Sequence, residues 1–190
     1  MRIMLKPRCN HHSGWGKGLL DQKKGRMSRS KSKVMLVVFF DWKGIAYHEF
    51  VPSGQMANKQ LYQEVLALLR HAVRRKRPEL WENQTWILHH DNALAHVSLL
   101  IRSYLAKHQT PDVTQPPYSP DLAPADFFLF PKLKSTFKGR CFQTIEEIQE
   151  NVIRELRAIT ESAFQEAFQQ WKKWERCIAS GGDYFEGYSA

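Results

Sequence analysis

Seven consecutive residues, Val34-Met35-Leu36-Val37-Val38-Phe39-Phe40, carry no polar side chain. Successive side chains of an extended segment point to opposite faces, so a run without alternation reads as a strand covered on both sides. Asp41-Trp42-Lys43-Gly44 follows as a turn with glycine at its end, and Ile45 to Val51 reads as the returning strand of a hairpin.

From Asn58 to Arg77 the period changes. Leu61, Val65, Leu68, Leu69 and Ala72 fall on one face of a helix. Arg74-Arg75-Lys76-Arg77 places positive charge at its C-terminal end, where the helix dipole favours it, and Pro78 closes it. Thr85 to His90 predicts a short apolar strand that runs into Asp91-Asn92, His96 to Lys107 an amphipathic helix, and Asp112 to Thr114 a weaker strand. The loop holding Pro116, Pro117, Pro120 and Pro124 is stiff, because each ring fixes a backbone angle. Phe127, Phe128, Phe130 and Leu133 then read as a helix that starts late or kinks at Pro131. Thr144 caps a helix with Glu146 and Glu147 in its first turn, and Ser162 opens the last one. On that helix Phe164, Phe168, Trp171 and Trp174 fit core packing better than a base-stacking platform. Strands interleaved with helices make the chain α/β, and no internal repeat is present.

Charge divides the chain in two. Residues 1–33 hold ten Lys and Arg against the single acid Asp21, ending in Lys23-Lys24-Gly25-Arg26-Met27-Ser28-Arg29-Ser30-Lys31-Ser32-Lys33, while the other 157 residues hold 18 of each sign. The net charge of +9 therefore sits in a basic, flexible leader attached to one near-neutral domain, residues 34–190. Such a tract suits a solvated tail, a nuclear-import signal or an arm that contacts phosphates through Lys23, Lys24, Arg26, Arg29, Lys31 and Lys33. No apolar run approaches the ~20 residues of a bilayer span, so a membrane protein is excluded, and the opening Met1 to Lys6 is too short for a signal peptide. Cys9, Cys141 and Cys177 are odd in number and far apart, which predicts a reducing intracellular compartment without a disulfide framework or zinc ribbon.

Two carboxylates stand out by position. Asp91 follows a buried strand at its C-terminal end, where open α/β sheets bind ligands, and Asp126 sits where the proline loop becomes a helix. Each also has a structural reading, Asp91 as a helix cap and Asp126 as a first-turn dipole partner. A zinc site from His89, His90 and His96 is disfavoured, since neighbouring strand residues face opposite ways.

The string His89-His90-Asp91-Asn92-Ala93-Leu94-Ala95-His96, with Tyr118-Ser119-Pro120-Asp121-Leu122-Ala123-Pro124-Ala125-Asp126-Phe127-Phe128-Leu129-Phe130 downstream, closely resembles the catalytic core of mariner-family transposases. The 34 residues between Asp91 and Asp126 match the family's spacing. Lys33-Val34-Met35-Leu36, Asp41-Trp42-Lys43-Gly44, Gly139-Arg140-Cys141-Phe142 and Gly181-Gly182-Asp183-Tyr184-Phe185 resemble further family blocks in family order.

The resemblance implies a ribonuclease H-like mixed sheet flanked by helices, and DNA cleavage and strand transfer with Mg²⁺ or Mn²⁺. It also implies DNA as partner, homodimer formation, a nuclear location and no small-molecule cofactor. Asp91 and Asp126 correspond to the second and third metal ligands, with His90, Asn92 and His96 in support and Arg74, Arg75, Lys76 and Arg77 as a further DNA contact. In-line attack on a phosphodiester is aided by two divalent ions, and hard cations favour carboxylate oxygens. The family's first aspartate, on the first and central strand, has no counterpart here: Asp21 does not match the block, and Asp41 belongs to the hairpin turn. The family's paired helix-turn-helix units are not found either. Either residues 15–22 improvise a strand or the sheet lacks its first strand, and the sequence favours the latter, a remnant with little activity alone. The alternative is a non-catalytic, transposon-derived DNA-binding or dimerisation protein. A fused relative joins such a domain to a histone-lysine methyltransferase, but nothing here resembles a methyltransferase module.

Overall fold

The computed structural model describes residues 2–5, 34–115, 117, 119–140, 142 and 144–179. Lys23, Lys24, Arg26, Arg29, Lys31 and Lys33, and with them nearly all of the basic leader, lie outside the described residues.

The central strand is β2 (Val34–Asp41), paired antiparallel with β3 (Gly44–Val51). Burial on both faces is what the apolar run predicts. Val34, Leu36 and Val38 enter one core, whereas Val37 and Phe39 enter the other. Gly44, with φ of +117°, supplies the left-handed backbone that ends the turn.

On its other edge β2 pairs with a four-residue strand, β1 (Arg2–Leu5), in the register Arg2 to Val37 through Leu5 to Val34. A strand therefore stands beside β2 where the sequence reading leaves a gap. It covers the first half of β2, and it belongs to the segment read as a leader. Among the described residues β1 forms no ladder with β4 (Leu88–His90), which pairs in parallel with β5 (Asp112–Thr114) in a separate sheet.

Helix α1 (Lys59–Lys76) covers one face of the hairpin. Asn58 caps it, its side-chain oxygen accepting from Leu61 N at 2.8 Å. The buried stripe is Tyr62, Val65, Leu66, Leu69, Ala72 and Val73, rotated from the stripe read in the sequence. Leu68 is 44% exposed, and Tyr62 takes the place assigned to Leu61. A tyrosine serves a core stripe as well as a leucine does, provided its hydroxyl finds a partner.

Pro78 closes α1 as expected, but it also opens the short α2 (Pro78–Glu82) at a first-turn position where its missing N–H costs nothing. Trp86 stacks near Trp81, with ring centroids 6.5 Å apart, and the strand expected from Thr85 begins only at Leu88. Helix α3 (Leu99–Lys107) joins the same core through Ile101 and Leu105.

The second core lies across β2. It is built by α4 (Phe130–Phe137), α5 (Ile145–Ala158) and α6 (Glu161–Ala179), which contribute Leu133, Ile148, Val152, Leu156 and Phe164. Thr144 caps α5 by accepting from Glu147 N at 3.1 Å. The result is a mixed α/β layer structure, and no helix among the described residues is long and apolar enough to cross a membrane.

Asp41 ties the hairpin turn to the end of α1. Arg77 Nε and Nη2 donate to its two oxygens at 2.7 and 2.9 Å, and the Lys43 N–H donates at 2.9 Å. A bidentate pair with both side chains largely covered sits above the usual surface ion pair. Arg77→Met is expected to lower stability by about 1 kcal/mol in urea unfolding, because Asp41 then loses its fork. An unchanged midpoint would show that the pair is idle.

Candidate active site

Strand β4 sorts the three residues at its end by alternation. Leu88 and His90 face the α1 core, and His89 faces α6, where its ring meets Trp171 edge-on at 5.1 Å. The histidines thus separate as strand geometry requires, and His89 does not converge with His90 and His96 on a zinc position.

Asp91 leaves the strand in a tight turn. Its Oδ1 accepts from Ala93 N at 3.1 Å, and His96 N and Val97 N both donate to Ala93 O, which folds His96 back onto the aspartate. His96 Nδ1 lies 2.6 Å from Asp91 Oδ1, a close polar contact set off the ideal hydrogen-bond direction. This turn is why α3 begins at Leu99 and not at His96. Both contacts fall on Oδ1, leaving Oδ2 open among the described residues. Burial alone would push the Asp91 carboxyl up, but His96 and the Ala93 N–H outweigh it and hold the group well below the usual carboxylate range.

His90 is 2% exposed. Its Nδ1 lies 2.9 Å from the Tyr62 hydroxyl, and its Nε2 lies 3.7 Å from Asp112 on β5. Burial, helped by neighbouring His96, pulls its pKa down to about 4. A neutral ring with its proton on Nε2 toward Asp112, accepting from Tyr62 at Nδ1, satisfies both partners. Burial also raises Tyr62 well above an ordinary phenol, so its hydroxyl keeps the proton it donates. Asn92 bridges the ends of β4 and β5 by donating from Nδ2 to Gln115 O at 2.6 Å.

Asp126 is held by a wide turn, Ala125–Leu129, in which Phe130 N donates to Ala125 O. Such five-residue turns occur often at functional sites. Ala125 and Leu129 are fully buried and pin the turn, while Asp126 N donates to Ala123 O at 2.8 Å. The preceding loop is anchored to α6, since Trp171 Nε1 donates to Leu122 O at 2.7 Å. The Asp126 carboxylate accepts no hydrogen bond among the described residues. Burial and then the Asp91 charge raise its pKa, against Lys134. Asp126 therefore lies within the field of the Asp91 charge.

The remaining site residues are spread out. Arg74 and Arg75 are exposed at the end of α1, Lys76 Nζ donates to Ile45 O at 3.2 Å, and Arg77 is engaged by Asp41. Sequence reading missed Tyr62, Asp112 and the Trp171 anchor. Tyr62 was legible only as the polar-tipped member of a helix stripe, and its contact with His90 spans 28 positions.

A divalent ion fits these residues in part. The described residues hold no group of three His, Cys, Asp or Glu able to bind a metal. Two carboxylates, one with a whole oxygen open and one unbonded, are nevertheless the kind of donor set that Mg²⁺ accepts when water and phosphate complete its shell.

Comparisons with known proteins agree with this arrangement. A family model described as Transposase (partial DDE domain) matches residues 10–83. The chain is 31% identical over 163 residues to the Mariner Mos1 transposase of Drosophila mauritiana, covering 85% of this chain and 47% of that protein. It is 26% identical over 156 residues to the Histone-lysine N-methyltransferase SETMAR of Homo sapiens, covering 81% and 23%. The chain thus spans less than half the length of these curated relatives. Among solved structures, the Mos1 transposase catalytic domain with Raltegravir and Mg superposes with a TM-score of 0.72 at 31% identity, covering 81% of this chain and 78% of that one. A pre-cleavage Mos1 transpososome gives 0.81 at 28% identity, covering 97% and 55%. With the hairpin, the layers and both aspartate-bearing turns in place, the chain belongs to the mariner transposase family and has the ribonuclease H-like fold of its catalytic domain.

Proposed function

We propose that this chain is a DNA-processing domain in which Asp91 and Asp126 hold Mg²⁺ or Mn²⁺ against a DNA phosphodiester. The observation that carries the reading is the unbonded Asp126 carboxylate, raised in pKa by burial and by the charge of Asp91. A half-buried acid with no donor beside another acid is stabilised by a cation. Solved relatives support the choice of ion and partner, since the Mos1 transposase catalytic domain has been captured with Mg and with Mn, and the Mos1 transposase in a paired-end complex with the left transposon end.

When bound, the ion would polarise a phosphoryl oxygen and favour attack by water or a 3′-hydroxyl. The chain's own residues do the rest. His96 and the Ala93 N–H turn Asp91 so that Oδ2 is presented, Asn92 locks the two strand ends together, and the Trp171 anchor stiffens the loop leading to Asp126. Two carboxylates supply fewer ligands than a pair of metal ions needs, so we expect little cleavage or strand transfer by this chain alone. DNA contact through the basic tract of residues 23–33 and through exposed Arg74 and Arg75, pairing of two copies and a nuclear location belong to the same proposal.

A second reading, a DNA-binding protein without catalysis, is favoured by the same shortage of carboxylates among the described residues. Mn²⁺ titration followed by the resonance of the free ion, alongside nicking of supercoiled plasmid, separates the two. The expected result is Mn²⁺ binding that Asp91→Asn weakens by about tenfold or more, with nicking near background. Salt-sensitive DNA binding with no Mn²⁺ uptake would support the second reading, and robust nicking abolished by Asp91→Asn would overturn the expectation of low activity.

A further inference from the structure

Between the core and the proposed cation site stands one side chain that belongs to both. Tyr62 lies in the first turn of α1, its N–H donating to Asn58 O at 3.0 Å, in the turn that the Asn58 cap fixes. Its ring is packed in the core with Val65, Leu66 and Leu88 and is 3% exposed. The outer face of that ring lies on His96, with centroids 3.9 Å apart and planes 30° from parallel, and its hydroxyl reaches His90 Nδ1 at 2.9 Å. The two imidazoles lie 5.4 Å apart and within 4° of parallel. Packing alone does not explain the hydroxyl, since a buried hydroxyl is costly unless bonded and a phenylalanine would fill the same space.

We infer that Tyr62 is a positioning residue: it clamps His96 with its ring and His90 with its hydroxyl, and through His96 fixes the Asp91 carboxylate with Oδ1 occupied and Oδ2 presented to a cation. This rests on the metal reading of Asp91 proposed above. The geometry gives the path in three contacts. A helix turn immobilised by its cap holds the phenol ring, the ring holds the imidazole, and His96 Nδ1 at 2.6 Å holds one oxygen of Asp91. With the ring removed, His96 has open space on one face and can rotate away from Oδ1. Loss of a side chain that orients a metal ligand from behind typically costs about 10–100-fold in metal affinity.

The test uses the full chain as wild type, Tyr62→Phe and Tyr62→Leu, with two readouts: Mn²⁺ affinity, and the ring-nitrogen NMR signals of His90 and His96 in metal-free protein. Wild type should show distinct signals for the two His96 ring nitrogens, as a ring fixed in one orientation requires. Tyr62→Leu should average the two His96 nitrogens and weaken Mn²⁺ binding by about tenfold. Tyr62→Phe keeps the stack and should shift the His90 signals, with a smaller loss of Mn²⁺ affinity, about threefold. A folded Tyr62→Leu protein with wild-type His96 signals and wild-type Mn²⁺ affinity would overturn the inference. If Tyr62→Leu does not fold, unchanged His90 signals and unchanged affinity in Tyr62→Phe would do the same. A wild-type chain that takes up no Mn²⁺ overturns the cation reading instead, and the His96 signals of the metal-free variants still decide whether Tyr62 positions that ring.

Discussion

Phe164→Ala should lower the unfolding free energy by about 3–5 kcal/mol, measured by urea denaturation. The ring is 1% exposed and sits where three elements meet. It lies 5.6 Å from Phe40 on β2 and 5.5 Å from Phe128, edge-on, in the turn that carries Asp126. A Cβ placed on Gly44 would already stand 3.7 Å from its edge, so the hairpin turn also closes over it. Truncation leaves a void bounded by a strand, a turn and a helix that cannot all move inward together, which puts the cost at the upper end for such changes. Because Phe128 is two residues from Asp126, Mn²⁺ affinity should fall in the same variant. A loss below about 1 kcal/mol would mean that the second core repacks freely.

Acid should act on the fold before the carboxylates titrate. His90 has an ordinary value of 6.5 and a folded value of about 4, so between those pH values the unfolded chain binds a proton that the folded chain refuses. Stability is therefore fully present above pH 6.5 and lost as pH falls toward 4, by about 3 kcal/mol if His90 acts alone. His48 and His89 are lowered in the same direction, chiefly by burial, and steepen the slope. Asp91 acts in a lower window, because a depressed carboxylate stabilises above its ordinary value and loses that contribution as pH falls below it. Midpoints of urea unfolding measured from pH 7 to 4 for wild type and His90→Gln check this. The variant should be less stable at pH 7 and flatter below it, and parallel curves would remove His90 as the cause.

How far the molecule could be read from its sequence depends on the range of each interaction. The apolar run of β2, the Thr144 cap and the β5 strand are local signals, and each lies where local rules put it. Asp91 and Asp126 were legible as candidates, because one follows a buried strand and the other a rigid loop. The departures have nonlocal causes. Trp86 finds Trp81 instead of the sheet, His96 turns back to Asp91 instead of starting α3, and Tyr62 displaces Leu61 from the buried stripe because His90 can bond its hydroxyl. Strand β1 is Arg2 and three apolar residues followed by Lys6, too short for any periodicity, and it is identified by the edge of β2 that it covers.

The bond from the Trp171 indole to Leu122 O also sets an order of events. During synthesis, which proceeds at about 5–20 residues per second, Tyr62, His90 and His96 all emerge before α6. Both aspartates also precede α6, so the loop ahead of Asp126 lacks its bond to Trp171 until that helix is made. A nascent chain thus holds every partner of the histidine clamp before the loop that leads to Asp126 acquires its tether to α6. Premature termination within α6 would yield a protein that keeps every proposed ligand and lacks the geometry to use them together.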